Sequence, residues 1–243
     1  MNSLPGYIWL LVLIPVVALP GATSIALYRG AIAAGLSRST GVRVGVMVSL
    51  VWCGWIVASA LLARAGLYRQ DPATSNPWIP VALLGSMGLA MAATRIPVML
   101  RILAAPGTAA RLAVPQTFRV AGLTFLIVMA LGELPAIFAI PAGVGDIAVG
   151  LAAPFVAWRL ANGGPRRNAV WFNILGIVDL VVAVGIGFAA GLGPNQLVHV
   201  TPSTLEISLL PLVLIPTTAV PLALALHVVS LRKLAVAGMR QAT

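Results

Sequence analysis

The sequence is poor in charge and poorest in acid: 8% of its 243 residues are charged, and only five are Asp or Glu. A soluble domain carries about 25% charged residues, so a water-soluble fold is excluded. Cysteine occurs once, at Cys53, which rules out an intramolecular disulfide and a cysteine metal cluster. Lying in an apolar run, Cys53 reads as core filler. The two histidines, His199 and His227, are predicted on opposite faces and make no ligand pair, so no metal site is expected. There is no glycine-rich phosphate loop, no Ser-His-Asp order and no HExxH helix. The reading is therefore not an enzyme, and no cofactor is expected.

What is present is apolar, at 60% of the residues. Seven runs of a length to cross a bilayer stand out: Tyr7 to Tyr28, Val44 to Ala63, Trp78 to Thr94, Val120 to Ile140, Ala142 to Trp158, Val170 to Ala190 and Glu206 to Leu231. They are continuous rather than alternating, so helices are expected and a β-barrel is not. The fold class is all-α, a single polytopic transmembrane bundle of about seven spans over residues 1–243. The N-terminus MNSLPGY lacks a basic n-region, so the first run is kept as a permanent helix. The stretch Arg95 to Val114 either extends the third span or lies in the interface as a basic segment. LVLIPVVALP in the first span and LVLIPTTAVP in the last are alike, by parallel repeat or by low-complexity coincidence.

The formal charge of +10 could suggest nucleic acid, but the 15 basic residues are scattered between the apolar runs, so the bilayer is the expected partner. Assigning alternate loops to alternate sides places 13 of the 15 together, Arg119 among them, and leaves Arg64 and Arg69 opposite. By the positive-inside rule this predicts an outside N-terminus and a cytoplasmic C-terminus in an inner (plasma) membrane. The excess of arginine over lysine hints at a bacterial source. Seven spans with an outside N-terminus resemble the outline of rhodopsin-like receptors. A retinal Schiff base, however, needs a lysine inside the last span, and Lys233, the only lysine, lies at its end.

Four of the five acidic residues fall in or beside apolar runs, where a charge costs at least about 2.5 kcal/mol and commonly marks an ion or substrate path. Counting from arginines taken as cytoplasmic anchors, Glu133 lies roughly 21 Å above Arg119, Asp146 roughly 20 Å above Arg159 and Asp179 roughly 18 Å above Arg167. The three would share one stratum. Gly143, Asp146, Gly150 and Pro154 form one helical stripe and Asn173, Gly176 and Asp179 another, both facing protein rather than lipid. Glu206 follows Ser203 as S-x-x-E and reads as a capping box; Asp146 could merely complement a helix dipole. Glu133, Asp179, Asp146 and Asn173 are the candidate ligand- or ion-binding residues. The function read from them is a carrier of a small solute, proton or cation. The alternative is a sensor or accessory membrane subunit whose buried acids are structural.

Overall fold

The computed structural model describes residues 4–194 and 196–242, with side chains described as far as residue 235; the side chain of Arg240, counted above on the basic side, lies outside them. Among the described residues all regular structure is helical and no strand occurs. The order is α1 (Gly6–Ala33), α2 (Arg38–Arg64), α3 (Trp78–Ala93), α4 (Pro97–Ala104), α5 (Thr108–Ala113), a 3-10 segment (Val114–Gly122), α6 (Leu123–Ala130), α7 (Ala136–Ala161), α8 (Arg166–Ala189), a 3-10 turn (Leu205–Ser208), a π turn (Ile215–Ala219) and α9 (Val220–Ala242). Six of the helical stretches are long and apolar enough to cross a membrane. There are seven if α3 and α4, bent by 80° at Thr94–Ile96, count as one. That bend excludes a straight extension of the third span through Arg95 to Val114.

The last apolar stretch, Ile215–Ala235, is the axis of the bundle: 67% of its apolar span is buried, against 17% of the apolar span within α2 at the rim. Ile8, Val12, Val16 and Leu19 of α1 and Leu222, Leu226 and Val229 of α9 meet in the main core, with Phe125 of α6 set edge-to-face on Phe138 of α7 at 5.3 Å. Cys53 is exposed on α2 rather than in this core. Trp78, Trp158 and Trp171 are exposed near the ends of α3, α7 and α8.

Two predicted span boundaries shift. The fourth apolar stretch runs from Thr108 to Ala130 and α7 from Ala136 to Ala161, so the hairpin between them falls at 131–135, not near Pro141. Gly132, with φ +80°, turns the chain out of α6 while its N–H bonds Met129 O and that of Glu133 bonds Val128 O; Pro135 then opens α7. The last stretch begins at Ile215, not Glu206. The like strings fold differently. Pro15 and Pro20 sit within one continuous α1, whereas Pro216 lies in the π turn, whose Thr217 carbonyl accepts the Trp55 indole N–H at 2.8 Å. Freed backbone acceptors in an apolar medium need such partners.

Candidate functional site

The site begins with Arg119. Sequence reading places it at a membrane surface, but it lies equidistant from the two ends of Thr108–Ala130 and is only 6% exposed. It stands about 12 Å along the helix from Arg111, inside the bundle. The height of Glu133 counted from it above therefore does not hold. The 3-10 segment that carries it starts beside Pro115 and ends at Gly122, and 3-10 geometry in mid-span is a common mark of a functional irregularity.

A guanidinium buried in an apolar bundle must be paired. Arg119 Nε donates to Asp146 Oδ1 on α7 at 2.6 Å, and Nη2 donates to Asp179 Oδ2 on α8. Nη1 donates to the Gly176 carbonyl at 3.3 Å and to His227 Nε2 on α9 at 3.1 Å. Three helices thus converge on one side chain. The bonds also settle the imidazole tautomer. Asn173 uses its Nδ2 donor toward the Ala169 carbonyl at 2.7 Å and Ser230 Oγ at 3.1 Å, so its Oδ1 faces His227 Nδ1 at 2.9 Å and accepts from it. An arginine only donates, so His227 Nε2 is the acceptor and the ring is the neutral Nδ1–H form. His227 is fully buried.

Helix approach at this point depends on glycine. A Cβ on Gly145 would overlap the Asp179 carboxylate, and one on Gly176 would overlap His227 Nε2. Most of the stripe predicted on α7 also faces protein, since a Cβ on Gly143 or Gly150 would meet Leu126 or Val120 of the neighbouring stretch, but Pro154 at its end is exposed.

Of the predicted residues, the structure brings together Asp146, Asp179 and Asn173, the last through His227. Glu133 is not among them. It sits in the hairpin at 131–135, half-buried, and its charge is felt by Glu206 in the 3-10 turn. Burial first, and repulsion from Glu133 second, push the Glu206 carboxyl above its ordinary value of 4.5. The predicted capping box does not form: Ser203 Oγ accepts from the Leu205 N–H, and Thr204, the residue that opens the turn, makes no side-chain cap. Arg119 and His227 are the residues that sequence reasoning missed. The available signal was Arg119 itself, which directly precedes a long apolar run and is separated from Arg111 by seven uncharged residues.

Two cavities of about 50 Å³ each border Asp146. One also touches Arg119, with Pro15, Leu19 and Ala223; the other reaches Gln70, Gly187 and Phe188 near the loop end of α8. Each has room for a few waters. Phe125, Leu180, Ile215 and Val220 border both, so the π turn forms a wall opposite the carboxylate.

A helical bundle of bilayer-crossing length, with an Arg–Asp–Asp cluster in its interior, defines a class rather than an activity. The chain belongs to the family described as Domain of unknown function (DUF8737), which matches residues 76–235. That segment contains Arg119, Asp146, Asn173, Asp179 and His227, and leaves out α1 and α2. No curated protein and no solved structure matches the chain.

Proposed function

We propose that this chain is an integral membrane carrier in which Arg119, Asp146 and Asp179 bind and release one proton. The observation that carries the reading is the charge imbalance: one guanidinium faces two carboxylates, each about 15% exposed, and one of them, Asp146, borders two water-sized cavities. Arg119 stays protonated, so with both acids ionised the cluster has one surplus negative charge in a low-dielectric interior. A proton shared by the carboxylates removes it. A metal cation fits less well, because apart from Asp146, Gln70 and Arg119 the side chains lining the two cavities are apolar, and a hard cation seeks about six oxygens. The hydrogen-bonded series His227, Asn173, Ser230 continues from Arg119 along α8 and α9, and the cavity to Gln70 leads the other way.

The membrane is an inner (plasma) membrane, with the N-terminus outside and the C-terminus in the cytoplasm. Withdrawing Arg119 from the basic side leaves twelve residues there against Arg64 and Arg69, so the bias persists.

A second reading has its own support, because the same bonds tie α7, α8 and α9 to the 3-10 segment as a structural clamp would. Reconstituted liposomes loaded with a pH-sensitive dye separate the two. A carrier dissipates an imposed pH gradient, and Asp146→Asn and Asp179→Asn stop it while the protein still elutes as a folded species. Wild-type liposomes no leakier than empty ones would sink the carrier and leave the clamp.

A further inference from the structure

A cavity much larger than the two at the charged site lies elsewhere. It is a crevice of about 490 Å³ between α2 and the bent pair α3 and α4, floored by α9. Val48 and Trp52 of α2, Leu89 and Ala93 of α3, Leu103 of α4 and Leu226 of α9 line it. It exists because α2 lies along α1 while α3 turns onto α9, and the 80° bend carries α4 away from α2. Met47, Val51 and Leu89 at its mouth are 59%, 51% and 60% exposed, so it opens sideways toward the apolar surroundings rather than toward water.

Its one charged lining residue is Arg43, at one end; deeper in, Thr23 spends its hydroxyl on the Leu19 carbonyl at 2.8 Å. Arg43 and Thr94 line that end, and Thr94 spends its hydroxyl on the Met91 carbonyl at 2.6 Å. Arg43 is exposed and, among the described residues, has no acidic partner. Arg95 lies at the same bend. Nine residues deeper on α2, about 14 Å along the helix, Trp52 closes the crevice. Trp52 is 5% exposed and its indole N–H has no partner among the described residues.

We infer that this crevice holds one acyl chain of an anionic phospholipid, with the lipid phosphate at Arg43. The volume lies within the roughly 300–1,000 Å³ of small-molecule sites, and its walls offer an acyl chain the apolar contact it needs. Basic residues at the mouth of a cleft between membrane helices recognise anionic headgroups. A neutral apolar ligand would give the Arg43 guanidinium no counter-charge. The inference requires the chain to lie in a bilayer but not that it carries protons.

Native mass spectrometry with added phosphatidylglycerol or phosphatidylcholine tests it, together with Trp fluorescence in vesicles of brominated-chain forms of the same lipids. Wild type should retain one phosphatidylglycerol about fivefold better than phosphatidylcholine, the weight of roughly one basic residue at an anionic surface. Arg43→Gln should erase the preference. The quenching lost in Trp52→Phe should be larger with the anionic lipid. Equal retention of the two lipids, a preference unchanged in Arg43→Gln, or quenching that does not depend on Trp52 would each overturn the inference. Arg43 is exposed, so its replacement leaves folding intact, and an unchanged elution profile checks this.

Discussion

Removing Arg119 should be far more damaging than removing either of its carboxylate partners. Arg119→Gln strands Asp146 and Asp179 beside one another with no compensating charge, and loss of one member of a buried pair costs about 3–5 kcal/mol. Asp179→Asn instead leaves one guanidinium with one carboxylate, and the amide oxygen still accepts from Nη2, so its cost should stay within about 1 kcal/mol. For a chain of this size each kcal/mol moves Tm by roughly 2–4 °C, so Arg119→Gln should melt roughly 6–20 °C below wild type. The triple variant Arg119→Gln, Asp146→Asn, Asp179→Asn should recover most of that loss, since replacing a whole buried ionic cluster is often neutral. Melting in a single detergent, followed by loss of the monomer elution peak, gives the comparison. If Arg119→Gln melts no lower than Asp179→Asn, the reasoning from surplus charge is refuted.

Gly145→Ala should drive its new Cβ into the Asp179 carboxylate and cost about 1–3 kcal/mol. Gly54→Ala in α2, where nothing lies within 4 Å, should instead be neutral or gain about 0.5–1 kcal/mol by thermal melting. Glu206 is raised above 4.5, so its favourable contribution is complete below that value and is lost as pH rises through the folded-state pKa. Glu206→Gln should accordingly raise Tm at neutral pH and not below about pH 4.5; a gain that is equal at both would contradict the raised pKa that burial, and after it repulsion from Glu133, gives Glu206. In a Cys53→Ser background, an impermeant thiol reagent added outside should label a cysteine at His199 and spare one at Arg166; the reverse pattern would invert the orientation.

Much of the architecture was legible because bilayer-length apolar runs admit few alternatives. The first two helices and α8 lie close to where hydropathy put them. The misplaced hairpin at 131–135 has a local cause: the run from Val120 to Ile140 is uniformly apolar, and Gly132 and Pro135 interrupt its backbone without interrupting its hydropathy. Glu133 was read as a mid-span acid for the same reason. Asp146, Asp179 and Asn173 were found because an acid or amide on a small-residue stripe betrays a protein-facing side even without knowledge of its partner. The partner itself was hidden. Arg119 meets residues 27, 60 and 108 positions away, and an arginine between two apolar runs satisfies the rule for a span boundary as well as the rule for a buried cation. His227 was hidden likewise, since its role is fixed by Asn173 on another helix rather than by its neighbours in sequence.

The most direct measurement is infrared titration of the lipid-reconstituted protein in H₂O and D₂O, which sees the C=O stretch of a protonated carboxyl separately from the carboxylate. A shared proton between Asp146 and Asp179 predicts a deuterium-sensitive carboxyl band in wild type at neutral pH, lost as pH rises and absent from both Asp146→Asn and Asp179→Asn. The same band persisting in both variants, or a wild-type spectrum without it at any pH between about 4 and 9, would contradict a proton-binding cluster around Arg119.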